Sequence, residues 1–113
     1  MDLEKLGQEV GLLHNRVCAA LSDPKRILIL YLLSVRGYFV NEIAEALDLP
    51  QSTVSRHLRV LRERDLVHTE RQGTAVCYSL ADERIIQALD LMRSIVASQL
   101  AAEVDLAQSL NAE

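Results

Sequence analysis

The chain has 113 residues, half of them apolar and only 4% aromatic, with a net charge of −4. That length supports one domain with a real core and not two. The acid excess excludes a protein basic all over, and the two cysteines, Cys18 and Cys77, are too few for a disulfide scaffold. Met1-Asp2-Leu3-Glu4 is no basic-then-apolar leader, and the longest apolar run, Ile27 to Leu33, is short of membrane length. A cytoplasmic protein with reduced thiols and no membrane partner is expected.

In chain order, Leu3, Leu6, Val10, Leu13, Val17 and Ala20 recur at steps of three and four, which predicts a first helix with a sustained apolar seam. Such a seam docks on its own core or on a second subunit. Ser22 or Asp23, followed by Pro24, ends that helix and caps the next. Pro24 to Val35 is the second helix. It is apolar nearly all round from Ile27 to Leu33, as a central helix is, and Gly37 is expected to end it. Tyr38-Phe39-Val40 reads as a short extended link.

Asn41 is placed to cap a short third helix with Ile43, Ala44 and Leu47 on its core face, where small Ala44 and Ala46 permit a close crossing. Pro50 cannot continue that helix and pre-sets the start of another. Together 41–64 read as a helix-turn-helix. The fourth helix has two faces. Val54, Leu58 and Leu61 line one. Gln51, Ser55 and Arg59 line the other, with Ser52 and Arg56 beside them, and no carboxylate appears before Glu63 and Asp65. Hydroxyls, amides and guanidinium groups without acids suit base edges and phosphates. Gln51, Ser52, Ser55 and Arg56 are assigned to the major groove and Arg59 to phosphate, with Thr53 capping or touching phosphate. The plain alternative is a solvated polar face. His57 lies toward the core side and reads as a structural histidine.

The period then changes. Leu66 to Arg71 and Ala75 to Leu80 are strand-like, with Gly73 able to take a positive φ between them. They predict a two-stranded wing over 66–80. Val76, Tyr78 and Leu80 should face the core, Cys77 and Ser79 should face outward, His68 should lie on the surface, and Arg71 fits a phosphate contact. A last helix from Asp82, over 82–110, carries Ile85, Leu89, Met92, Val96, Leu100 and Val104. One small domain does not need two long apolar terminal helices for itself, so 1–21 and 82–110 are expected to build a homodimer. Two copies would set their fourth helices about one DNA turn apart on an imperfect palindrome. Charge is distributed to match. Five Arg lie between Arg56 and Arg71 against three acids, whereas six acids lie between Asp82 and Glu113 against two Arg.

The chain resembles the ArsR/SmtB family of dimeric winged-helix repressors. The resemblance rests on Ala20-Leu21-Ser22-Asp23-Pro24-Lys25-Arg26-Ile27-Leu28-Ile29-Leu30, Glu42-Ile43-Ala44-Glu45-Ala46-Leu47, Gln51-Ser52-Thr53-Val54-Ser55-Arg56-His57-Leu58, Leu61-Arg62-Glu63-Arg64-Asp65-Leu66-Val67 and Cys77-Tyr78-Ser79-Leu80. It implies a mainly α winged helix-turn-helix, residues 1–113 being one domain, and a repressor that leaves a double-stranded DNA operator when an inducer binds. The family's sensing sites do not carry over. Phe39-Val40-Asn41 stands where one site has Cys-Val-Cys, the last helix has no histidine, and the second and last helices have no cysteine.

Cys18 and Cys77 remain, with His14 four residues before Cys18 on the same helix face. A thiophilic ion such as arsenite, or a Cys18–Cys77 disulfide, is one reading of them. Plain packing with no inducer is the other. A winged-helix interaction module without DNA is the second functional class. No nucleophile–base pair or phosphate loop suggests an enzyme.

Overall fold

The computed structural model describes residues 1–112. Its contacts divide the chain into two units, Met1–Glu83 and a second beginning at Arg84. The first unit contains α1 (Leu3–Leu13), α2 (Pro24–Leu33), β1 (Tyr38–Phe39), α3 (Val40–Leu47), α4 (Gln51–Glu63), β2 (Val67–Gln72) and β3 (Ala75–Leu80). The second is α5 (Arg84–Asn111).

α1 is capped by Asp2, whose carboxylate accepts from the Lys5 N–H at 3.2 Å. None of its residues is buried. The expected seam does not run on unbroken. From His14 to Cys18 the helix widens, with the Ala19 N–H donating to the His14 carbonyl five residues back at 2.9 Å, and a tight turn at Ala20–Ser22 follows. The wide turn rotates what comes after it, so Ala20 is buried at 1% exposure while Leu3, Val10 and Leu13 stand at 72%, 50% and 52%.

α2 starts as its sequence dictates. Asp23 is the cap, accepting from the Lys25 N–H at 2.9 Å, and Pro24 holds the first helical position. The helix ends at Leu33, four residues before Gly37. It buries only Ile29, Leu30 and Leu33, leaving Leu28 exposed, so it is not central in the sense expected. Gly37 does other work. A Cβ there would lie 2.7 Å from the Cys77 sulfur, so the glycine gives the sulfur room.

α3 begins one residue before Asn41, which is exposed inside the helix. Its start is fixed by Glu42, whose carboxylate accepts the Phe39 N–H at 2.9 Å and meets the Arg36 guanidinium at 3.3 Å. Asp48 takes a left-handed φ of 53°, and the Leu49 N–H closes on the Ala44 carbonyl at 2.9 Å. Pro50 then opens α4. The core of this unit gathers Ile29, Leu30, Ile43, Val54, Leu58 and Leu61, each fully buried. Ala44 is buried at the crossing and Ala46 is exposed.

The wing has a third strand. Tyr38 and Phe39, expected as a link, pair with Tyr78 and Cys77, giving an antiparallel sheet in the order β1-β3-β2. β3 is therefore central. Residues 76 to 80 are half-buried on both faces, so Cys77 and Ser79 are not outward as their parity suggested. Gly73 has φ 65° in the two-residue turn that closes the Gln72–Ala75 pair, the conformation its position required.

α5 spans 28 residues, starting two after Asp82, and Leu91, Met92, Ile95, Val96, Leu100, Val104, Leu106 and Leu110 are exposed along it. By length and composition it is apolar enough to cross a membrane, an 18-residue stretch of it having a mean hydropathy of 1.2. The expectation that no segment reaches that mark is corrected: it counted unbroken runs, whereas Asp90 and Arg93 interrupt a helix that is apolar on average.

Candidate nucleic-acid interface

The two faces of α4 separate as their spacing demands. Val54, His57, Leu58 and Leu61 are buried, and Gln51, Ser52, Ser55, Arg56 and Arg59 are exposed. Thr53 is half-buried, with its N–H donated to the Pro50 carbonyl at 3.1 Å. The exposed set forms one strip without a carboxylate. The helix ends at Arg64, Asp65 turns left-handed at φ 60°, and the Leu66 N–H closes on the Leu61 carbonyl at 3.0 Å. That turn aims the chain from α4 straight into β2, so the wing follows the strip directly.

Arg71 is exposed on β2 opposite Val76, one residue from the hairpin turn. An open cleft of about 510 Å³ lies between the first turns of α3 and α4 and the wing, lined by Phe39, Val40, Asn41, Gln51, Ala75, Val76 and Tyr78. Gln51 therefore belongs both to the strip and to the cleft. Asn41, assigned to a cap from the sequence, stands beside it as a further exposed amide. Its place became visible only once β3 was known to run past the start of α3. α4 has no side-chain cap and no acid on its first turn, so its N–H groups add positive potential to the same side.

Behind the strip lies His57, 4% exposed. Burial is the main cause that holds its imidazole below the ordinary value of 6.5. The Asp23 carboxylate opposes that shift, and Arg26, Arg56 and Lys25 add to it. Asp23 is itself held low, chiefly by the Lys25 N–H, and Glu42 by the Phe39 N–H and then by Arg36.

This arrangement can be set against known proteins. The sequence pattern of the bacterial regulatory protein arsR family matches residues 23–69, from the α2 cap into β2. A biofilm growth-associated repressor of Agrobacterium fabrum is 30% identical, the alignment covering 82% of this chain and 76% of that protein. The chain belongs to the ArsR family. The HTH-type transcriptional regulator NmtR of Mycobacterium tuberculosis is 44% identical over 63% of this chain, which spans only 59% of that relative. Among solved structures, the homodimeric winged helix-turn-helix DNA-binding domain Mb0332 of Mycobacterium bovis superposes with a TM-score of 0.72. It is 29% identical, and 83% of this chain and 86% of that one are covered.

Within the ArsR fold, this chain's sulfur and imidazole groups are scattered. Cys18 is exposed at the end of the wide turn, and His14 Nδ1 faces the Asn15 side-chain oxygen at 3.4 Å. Four residues fall short of a full turn there, so the shared face expected of His14 and Cys18 is offset. Cys77 is half-buried against Gly37. Among the described residues of one chain, no three His, Cys, Asp or Glu side chains gather where they could hold a metal ion.

Proposed function

We propose that the chain is a homodimeric, sequence-reading DNA-binding transcriptional repressor, acting in the cytoplasm and not as an enzyme. One observation carries this reading: the exposed face of α4 presents Gln51, Ser52, Ser55, Arg56 and Arg59 with no acid among them, on a chain whose net charge is −4. Gln51, Ser52, Ser55 and Arg56 enter the major groove, Arg59 and Arg71 meet phosphates, and Thr53 steadies the first turn.

Residues 1–113 act as one winged-helix domain, with 41–64 as the helix-turn-helix, 66–80 as the wing, and 1–21 with 82–110 as dimerisation segments. The apolar stripes of α1 and α5 support that assignment, since large exposed apolar surfaces mark partner sites. Asp90 and Arg93, paired at 3.3 Å within the most apolar part of α5, favour a partner helix over lipid as the cover. The name of the Mycobacterium bovis neighbour, a homodimer, points the same way.

The test is selection of duplexes from a random pool by the wild-type chain at low salt, followed by Arg56→Ala. A selected imperfect palindrome, bound more weakly and less selectively by the variant, is expected. Failure to select any duplex would return the chain to a protein-interaction module. An inducer such as arsenite, acting at Cys18, Cys77 and His14, would draw its remaining donors from the second copy. Titration of the selected complex with arsenite, zinc, cadmium and oxidant, against Cys18→Ser and Cys77→Ser, separates that from a repressor with no metal inducer.

A further inference from the structure

The guanidinium of Arg26 ties α4 to the bend between α1 and α2. Its Nε donates to the Ala20 carbonyl at 2.6 Å, Nη2 donates to Ser22 Oγ at 3.3 Å, and Nη1 meets His57 Nδ1 at 3.3 Å. An arginine side chain only donates. Nδ1 of His57 is therefore the acceptor, and the ring proton sits on Nε2. Nε2 in turn faces Asp23 Oδ2 at 3.8 Å, beyond hydrogen-bond range, and has no hydrogen-bond partner among the described residues. A second tie lies at the far end of α4, where the Arg64 guanidinium donates to the Asn15 carbonyl inside the wide turn. Arg56 directly precedes His57 and Ser55 lies one residue further back, so a displacement of His57 displaces the strip.

We propose that Arg26 is a positioning residue for DNA reading: through His57 it sets where Ser55, Arg56 and Arg59 stand, according to the position of the bend that ends α1. This rests on the DNA-binding reading above. α1 is the helix with no buried residue, assigned to the partner copy, so the Arg26 bridge passes the state of that interface to the strip. The link also depends on protonation. Once Nδ1 gains a proton it can no longer accept, and two cations then face one another. The charged groups around His57 are Asp23, Lys25 and Arg26 from α2 and its cap, and Arg56 from its own helix. Burial, helped by Arg26, Arg56 and Lys25 against the single Asp23 carboxylate, keeps the ring neutral near pH 7, where the bridge is made.

The test compares wild type, His57→Asn, Arg26→Ala and Arg26→Lys at about pH 7.5 and about pH 5.5, a span that brackets imidazole titration. Asparagine places an amide oxygen near Nδ1 and cannot take up a proton. Lysine keeps the charge and loses the three-way fork. The first readout is affinity for the wild-type-selected duplex. The second, without DNA, is the backbone amide spectrum of α4 in the ¹⁵N-labelled protein.

Wild type is expected to lose about tenfold in affinity in acid, the scale of one hydrogen bond to a charged group, with the Ser55 and Arg56 amides shifting together. His57→Asn should show neither change. Arg26→Ala and Arg26→Lys should bind at about pH 7.5 as weakly as wild type does in acid. If His57→Asn does not fold, Arg26→Lys decides alone. Identical acid responses in wild type and His57→Asn, or α4 amides unmoved in both Arg26 variants, overturn the proposal. If no duplex is selected at all, the DNA reading fails while the amide shifts still judge the bridge.

Discussion

Val54, Leu58 and Leu61 in α4 are sealed at 0% exposure, whereas Leu3, Leu6, Val10 and Leu13 in α1, at the same three- and four-residue spacing, stand at 72%, 37%, 50% and 52%. Periodicity is equal in the two helices and the outcome is opposite. α4 crosses α3 and packs on α2 within its own unit, so its apolar face is consumed there. α1 buries nothing within one chain. Helical spacing states that a face seeks cover. It does not state whether the cover comes from the same chain, and the face of α1 is left uncovered within one chain.

The sharpest way to break this comparison is to disrupt the apolar face in each region. Leu58→Ala is expected to cost about 2–5 kcal/mol, read as a fall in the denaturant midpoint, because a fully buried leucine leaves a cavity. Val10→Asp should leave the fold of the first unit intact and instead yield a monomer in sedimentation at micromolar concentration. A Val10→Asp chain that unfolds as readily as Leu58→Ala would show that α1 belongs to the core of its own chain.

Gly37→Ala comes next. Its Cβ would meet the Cys77 sulfur at 2.7 Å, so a loss of roughly 1–3 kcal/mol is expected from overpacking, relieved in part when Cys77→Ala is added. An additive pair in calorimetry would deny that these two residues oppose one another. Arg56→Ala sharpens the contrast from the outer face. It should weaken the selected duplex by about 1–3 kcal/mol with no change in melting temperature, since the side chain is exposed.

The smallest effect is pH dependence. His57 has a lowered folded value, so the unfolded chain takes up its proton first and stability is lost as pH falls below 6.5. The lowered carboxyls of Asp23 and Glu42 contribute stability above their ordinary values of 3.8 and 4.5, and that is lost as pH falls through their folded values. All three act in one direction. A melting temperature level above about pH 7 and declining in acid is expected. A rise on acidification would contradict the environment described for His57.

Several features were legible in the chain because each depends on residues close in sequence. They are the two faces of α4, the Asp23-Pro24 start of α2, the break at Pro50 and the positive φ at Gly73. Each is a matter of local dihedrals or of one helix's own spacing, which three to five residues determine. Others depended on residues brought together from afar. Arg26 and His57 are 31 positions apart, β1 finds β3 across two helices, and Gly37 is explained by Cys77. No pattern within a window reports such meetings, because a side chain's partner is chosen by how elements cross. The wide turn at His14–Cys18 belongs with these. Its residues carry no breaker, and the Arg64 contact to the Asn15 carbonyl ties it to the end of α4. The amino acids thus determined which surfaces exist, and packing decided which of them remained open to another molecule.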